Sequence, residues 1–416
     1  MSSKTLILKN IRILDYSRIL VGSLASMMLA DLGAEVIKIE SKLGDETRSW
    51  GPPFIKDEKN KNNNKKYKSS YFSSLNRNKK SISIDLKHQL SFDINKRLIE
   101  NSDIIIENFP FGKFDEFNLS YNNVKEINDK IIYTSVNGFG HKGDVSNLKA
   151  PAFDFIMQAY TGIMGITGEE PNAYRVGFPI CDILTSQQVY SSILLALYYR
   201  IIYNKGQHIK TSLVENSLFL NPTIVSNYLN CNINSGLKGN DHPNISPYTV
   251  FKYNNNKSVA LGVALDNQFE KLKEVLNIKD KKQEFITNEL RIKNRDKLKT
   301  EIQYKIYKFV EDYGYEKLDS LFKLNKIPFS NINTMKDVFN DRHINDLNIV
   351  KETIDFDLES GKKFKYLKNP VEYNYIGHKD FTVPPSLGEH TEDILLNVCK
   401  YNKDEINNLK ELKCVQ

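Results

Sequence analysis

Cysteine is scarce: the 416 residues hold four, Cys181, Cys231, Cys399 and Cys414, with no CxxC pair and no zinc-ligand spacing. That scatter argues against a disulfide scaffold and a cysteine-built metal site, and points to a reducing, cytoplasmic setting. Long apolar runs are missing too. The most apolar stretch, residues 193–203, is too short to cross a bilayer and contains Arg200, so no membrane segment is expected. Met1-Ser2-Ser3-Lys4 runs straight into a strand-like pattern, leaving no room for a signal or transit peptide. Nor is there much surplus charge of one sign. The 58 Lys+Arg against 51 Asp+Glu leave +7, too dilute to argue for nucleic acid and well suited to an anionic small molecule. No internal repeat is visible, and the Lys/Asn-rich residues 59–66 read as a solvated loop.

What is present is a chain with 40% hydrophobic and 11% aromatic residues, enough for a sizeable core in two domains or one discontinuous domain. Residues 6–14 read as a buried strand ending in Asp15, residues 23–32 as a helix stopping at Gly33, and residues 34–40 as a second strand. This is a β-α-β unit, the building block of parallel sheets. Further strands are expected at 81–86, 102–109, 130–136 and 206–213, with helices at 92–100, 152–162, 185–203 and 215–229. From about Cys231 the texture changes to short strands, such as 258–263, and charged helices at 267–276 and 296–313, a smaller α+β domain. Residues 327–339 and 384–391 read as returns to the first domain, with a last helix at 392–399.

Two nucleotide motifs fail on context. Glu40 stands where a dinucleotide fold carries its ribose-binding acid, yet the preceding turn, Ser17 to Gly22, is not glycine-rich. Gly138-Phe139-Gly140-His141-Lys142-Gly143 matches G-x-G-x-x-G literally, but a polar loop follows where a helix should. A glycine turn that admits close backbone approach is the alternative. The more telling stretch is Tyr174-Arg175-Val176-Gly177-Phe178-Pro179-Ile180-Cys181-Asp182. It sets one carboxylate, Asp182, at the start of a long helical pattern, either as an N-cap or as an anion held for chemistry.

Taken together, Leu14-Asp15-Tyr16-Ser17-Arg18, residues 29–40, Gly44-Asp45-Glu46-Thr47-Arg48, Asn76-Arg77-Asn78-Lys79-Lys80-Ser81-Ile82, Glu107-Asn108-Phe109, Gly138-Phe139-Gly140, Gly168, Asp182 and Leu387-Gly388-Glu389-His390-Thr391 resemble the family III CoA-transferases along nearly the whole chain. Trp50-Gly51-Pro52-Pro53-Phe54 and residues 327–333 look most like succinate–hydroxymethylglutarate CoA-transferases. The resemblance implies an α/β fold: a Rossmann-like large domain with a parallel sheet built from both chain ends, plus a smaller α+β domain, in an interlocked homodimer. The boundaries expected are 1–225 for the large domain, 226–325 for the small one and 326–416 for the return.

The resemblance further implies that Asp182 is a nucleophile forming an aspartyl anhydride and then an aspartyl-CoA thioester. No prosthetic group or metal is expected; a CoA thioester is the substrate, donated by succinyl-CoA or a similar molecule to a small dicarboxylic acid. By family position, CoA is expected along Leu20, Val21, Lys42, Ile84, Lys87, Asn108, Phe109, Asn137, Gly138, Phe139 and Gly140, and the acids at Arg48, Arg175 and His242. Two departures, Ser41 and Glu116 where relatives carry arginine, are expected to redistribute phosphate contacts to Lys42, Lys113 or Lys142. The alternatives are a 2-methylacyl-CoA racemase and a non-catalytic CoA-binding relative. The racemases place a histidine where this chain has Phe153, and phenylalanine cannot carry a proton.

Overall fold

The computed structural model describes residues 4–56, 67–144, 149–357 and 363–416. The chain divides into two compact units, one made of Met1–Thr161, Gly177–Pro222 and Leu347–Gln416, the other of Gly162–Val176 and Thr223–Asp346.

The first unit is organised on six parallel strands: β1 (Arg12–Asp15), β2 (Glu35–Glu40), β3 (Lys79–Ser83), β4 (Ile104–Glu107), β5 (Ile132–Asn137) and β6 (Gln207–Ser212). Their lateral order is β3-β2-β1-β4-β5-β6. The inner strand β4 is a near-continuous apolar run, as suits a strand covered on both faces; Ile104, Ile105 and Ile106 are all fully buried. The order reverses between β1 and β4, and open α/β sheets bind ligands beyond the strand ends at that switch point. The helices that matter here are α1 (Val21–Asp31), α2 (Ser91–Glu100), α3 (Asp154–Tyr160), α4 (Ile180–Tyr203) and α5 (Leu213–Phe219). Helix α1 ends where expected, at Gly33, whose φ of 107° suits glycine and whose N–H donates to the Ala30 carbonyl at 2.9 Å.

Several expectations are corrected. The first strand is Arg12–Asp15 and not residues 6–14, since Lys9 and Ile11 donate their N–H groups to Leu6 and Leu8 in turns. The helix expected over 215–229 is two, α5 and Pro222–Cys231, because Pro222 has no N–H to continue the first. The parallel sheet is not built from both chain ends: all six strands come from residues 12–212. The C-terminal end instead supplies two helices, Thr391–Asn397 and Lys403–Glu411, whose Ile394, Leu395, Ile406 and Leu409 complete the core around Leu14, Ile37 and Ile105.

Helix α4 also begins earlier than expected, at Ile180. Its 24 residues are long and apolar enough, by length and composition, to cross a membrane. Packing within the chain accounts for one side of it: Val189, Ile193 and Ala196 are buried, and Arg200 near its end is ion-paired to Asp103 at 3.0 Å, while Leu195, Tyr198 and Ile201 are exposed.

The second unit carries an antiparallel sheet, β7 (Tyr248–Asn254), β8 (Lys257–Gly262) and β9 (Phe329–Asn331). Helices α6 (Asp266–Leu276), α7 (Arg295–Tyr313) and α8 (Tyr315–Leu324) pack on it around Phe251, Leu261, Phe269, Leu298 and Phe322. The segment expected to return to the large domain at residue 327 stays here instead, because β9 pairs with β8 through Val259–Asn331 and Leu261–Phe329.

Candidate active site

Asp182 lies in the first turn of α4, not before it. The N-cap is Pro179, which has no side-chain acceptor to offer. That duty falls to Asp154 at the start of α3: its Oδ1 accepts the Cys181 N–H at 2.9 Å, while its Oδ2 accepts from Gln158 Nε2 at 2.6 Å. The capping reading of Asp182 is thereby corrected, and its side chain lines a cavity. Only 9% exposed, Asp182 has its carboxyl pushed up to about 7, first by burial and then by the neighbouring Asp154 charge. Burial outweighs the favourable helix N-terminus. The adjacent Cys181 thiol is buried and pushed up to about 11, which keeps it un-ionised and unreactive.

The cavity, about 320 Å³, lies at the C-terminal ends of β1, β4 and β5. Leu20, Val21, Asn108, Phe109, Asn137 and Gly138 all border it with Asp182, together with Arg18, Lys149, Ala152, Phe153 and Leu213. A side-chain clamp spans the switch point: Asn108 Oδ1 accepts the Arg18 N–H and Asn108 Nδ2 donates to the Arg18 carbonyl, each at 2.8 Å. The next residue, Ile19, is held at a φ of 65°, unusual for a β-branched side chain, and donates its N–H to Asp45 at 3.1 Å. Asp45 is itself fixed by buried Lys38 at 3.0 Å. Gly138 is required by space, since a Cβ there would sit 2.0 Å from that of Ala152. Gly138 of the literal glycine motif thus serves close packing against Ala152.

A second cavity of about 490 Å³ shares Arg18 and Phe109 with the first and is lined by Lys42, Ile84, Leu86 and Lys87. Lys42 is paired to Asp85 at 3.3 Å, while Lys87 is exposed at the rim. A charge-assisted phosphate contact is worth roughly 1.5–3 kcal/mol. Lys87→Ala is therefore expected to raise KM for an acyl-CoA at low salt about tenfold or more with little change in kcat; an unchanged KM returns Lys87 to the surface lysines.

Other expected residues lie outside these walls. Phe139 packs edge-on against Tyr160 at 5.1 Å, and the Gly140 N–H donates to Asn137 Oδ1 at 2.6 Å. Arg48 is committed to Glu40 through two hydrogen bonds, of 2.8 and 2.6 Å, and lies 3.9 Å over the Phe72 ring. Arg175 and His242 belong to the second unit. There Arg175 is exposed and His242 accepts the Asn244 N–H at 3.1 Å. Lys113, one of the cations expected to take over a phosphate, is paired with Glu116.

Sequence reasoning missed Lys149, whose polar loop gives no periodic signal, and the capping role of Asp154, which depends on a contact across 27 residues. It also missed Tyr71. Burial, followed by the charges of Asp182, Asp154 and Asp45, pushes that phenol up to about 12, which puts it in the electrostatic reach of the site.

Comparison with known proteins gives this arrangement a family. The model of CoA-transferase family III matches residues 8–391. A mouse (Mus musculus) succinyl-CoA:glutarate CoA-transferase is 34% identical over 97% of this chain and 88% of its own. The succinyl-CoA:mesaconate CoA-transferase of Haloarcula marismortui is 31% identical over 83% of this chain and 85% of its own. Among solved structures, a CAIB/BAIF family protein from Brucella suis superposes with a TM-score of 0.81 at 32% identity, covering 95% of this chain and all of that one. With the family model spanning most of its length and a buried aspartate at the sheet's switch point, this chain belongs to the family III CoA-transferases.

Proposed function

We propose that the enzyme moves CoA from succinyl-CoA to a small dicarboxylic acid of the glutarate type, with Asp182 as the covalent carrier. The observation that carries this reading is the environment of Asp182: buried, beside a second carboxylate, and facing a cavity at the end of β1 and β4. A carboxylate stripped of water and of cationic partners is a stronger nucleophile than a solvated one. An Asp182 oxygen attacks the donor thioester carbonyl, the C–S bond breaks, and CoA leaves as thiolate. The thiolate then attacks the Asp182 carbonyl of the mixed anhydride, releasing the donor acid as carboxylate and leaving an aspartyl-CoA thioester. The acceptor carboxylate repeats both steps in reverse, and Asp182 is regenerated with no net change in protons. Leu20 and Val21, at the start of α1, present the positive end of a helix dipole to the same cavity, where oxyanions develop.

In this reading the acyl end of the thioester occupies the cavity of Asp182 and the nucleotide end the cavity of Lys42 and Lys87. Arg18 and Phe109, common to both, mark the passage between them. A homodimer fits the outward side of α4 and α5, where Leu195, Tyr198, Ile201 and Phe219 are 62–80% exposed. The acid named by each relative, glutarate or mesaconate, is a dicarboxylate, which supports the class of acceptor. Incubation with succinyl-CoA alone is expected to leave CoA bonded to the peptide that contains Asp182, and added glutarate to discharge it as glutaryl-CoA. Mass spectrometry reads both steps, and transfer without any adduct on that peptide overturns the covalent mechanism.

A further inference from the structure

The turn that joins β1 to α1 borders the cavity of Asp182 with Arg18, Ile19, Leu20 and Val21, and it is held on several sides. The peptide plane between Arg18 and Ile19 is gripped at both ends. Its carbonyl, on Arg18, accepts from Asn108 Nδ2 at 2.8 Å, and its N–H, on Ile19, donates to Asp45 Oδ2 at 3.1 Å. One residue earlier the Ser17 carbonyl accepts from Lys38 Nζ at 2.9 Å, and the same ammonium donates to Ser23 Oγ, in the first turn of α1, at 3.2 Å. With the turn tied at these points, the step into α1 falls on Ile19, whose φ is 65°. A left-handed backbone presses Cβ toward the following carbonyl oxygen, and a β-branched side chain has no local hydrogen bond to offset that.

The carboxylate that holds Ile19 there is fully committed. Asp45 lies in the loop after β2, buried, as the N-cap of the single turn Glu46–Ser49. Its Oδ1 accepts the Thr47 N–H at 2.9 Å and the Thr47 hydroxyl at 2.6 Å, while its Oδ2 takes the Ile19 N–H and, at 3.0 Å, the Lys38 ammonium. Every lone-pair position of a carboxylate is thereby filled, which the single oxygen of an amide could not do. Lys38 in turn gives its ammonium protons to Ser17, Ser23 and Asp45. Neither charge is left for a ligand, and the loop after β2 acts on the turn after β1 through the Ile19 N–H.

We propose that Asp45 is a positioning residue for acyl transfer: by accepting the Ile19 N–H it imposes the left-handed conformation on Ile19, and so aims the Leu20 and Val21 N–H groups at the oxygen that gains negative charge beside Asp182. This rests on Asp182 as the carrier and on the start of α1 as the oxyanion donor, as given above. Leu20 is the N-cap of α1 and, like Val21, gives its N–H to no acceptor among the described residues. Aim matters more than presence, because a donor stabilises developing charge only where that charge appears. Without Asp45 the plane before Ile19 is held by Asn108 alone, and Ile19 relaxes to a negative φ. The N–H groups that follow it then turn from their places, while Asp182, on α4, keeps its own.

The test follows, by rapid quench and mass spectrometry, how fast succinyl-CoA loads CoA onto the Asp182 peptide in the wild type, Asp45→Ala and Asp45→Ala/Ile19→Gly. Varying succinyl-CoA gives a maximal rate and a half-saturating concentration for each protein. Asp45→Ala is expected to lower the maximal rate about a hundredfold with little change in half-saturation, as befits a loss felt in the transition state. Glycine occupies the left-handed region about as readily as the right-handed one, so the double variant is expected to recover at least about tenfold of that loss. A merely structural role for Asp45 predicts no recovery, since Ile19→Gly restores neither the ion pair nor the Thr47 contacts. A maximal rate for Asp45→Ala within about threefold of wild type, a loss confined to half-saturation, or no recovery in the double variant each overturns the proposal. Should Asp45→Ala not fold, because Lys38 is left buried without its carboxylate, Ile19→Pro keeps that pair, fixes φ at about −65° and removes the N–H. It must then slow loading as much, and loading within about threefold of wild type overturns the proposal. If the wild type itself forms no adduct, the carrier reading fails instead. The crystal structure of Asp45→Ala then decides the positioning: Ile19 must have left the positive-φ region, and a φ still near 65° overturns it.

Discussion

Asp182→Asn is expected to lose at least about a thousandfold in acyl transfer while gaining stability above neutral pH. The first effect follows from the covalent chemistry proposed above: the amide fills the same space, but its nitrogen and oxygen are poor nucleophiles toward a thioester. The second follows from burial. The folded carboxyl titrates near 7 and the unfolded one near 3.8, so the folded state binds more protons between those values. Stability from this group is present below about pH 4 and is lost as pH rises toward 7. Above 7 the buried charge costs on the order of 3–5 kcal/mol, which the asparagine protein does not incur. Thermal melts are expected to separate the two proteins at pH 8 and to converge near pH 4. With Asp182 as the proposed carrier, the wild-type rate is expected to climb with pH through about 7, because the ionised form is the nucleophile. Activity within tenfold of wild type would sink Asp182 as the carrier, and a lower melting point at pH 8 would contradict the account of its burial.

Much of the frame was legible because it depends on local pattern. The strand–helix–strand start, the stop at Gly33, and the isoleucine run of β4 with Glu107-Asn108-Phe109 at its end all follow from periodicity and turn chemistry. Order in the chain does not reveal order in the sheet, and the C-terminal residues could contribute helices to the core as readily as strands. The start of α4 was misjudged for a comparable reason. Pro179 at its N-cap has no capping side chain, and the carboxylate that performs the task comes from α3.

The cations were the hardest to assign. Lys38, Lys79, Arg77 and Arg48 are held by Asp45, Asp15, Asp31 and Glu40 in pairs largely or wholly removed from water. Such pairs shape the loops after β1 and β2, and nothing in a sequence separates an arginine committed to a buried carboxylate from one that awaits a ligand. The +7 surplus therefore overstates what remains for substrates. At the Asp182 cavity itself the cations among the described residues are Arg18, already paired with Glu46, and Lys149.

Glutarate is expected to accept CoA with a kcat/KM roughly thirty- to a thousandfold above that of valerate, the monocarboxylate of equal length. In the mechanism proposed above, one carboxylate of a dicarboxylic acid attacks the aspartyl-CoA thioester; the other must be held, or the first is not oriented. A guanidinium holds it best, through two parallel hydrogen bonds. Valerate would leave that guanidinium desolvated and unpaired, at about 2–4 kcal/mol. Of the two arginines considered for this role, Arg48 is bound to Glu40 on both arms of its fork, whereas Arg175 is exposed and donates to the Val176 carbonyl at 3.2 Å. An exposed arginine discriminates weakly, since water screens it. If Arg175 supplies the clamp, Arg175→Ala is expected to close most of the gap by slowing glutarate and not by quickening valerate. Equal rates for the two acids in the wild type would remove the dicarboxylate clamp and leave the transferase standing. A gap that persists in Arg175→Ala would move the clamp to the cations of the Asp182 cavity, Lys149 first.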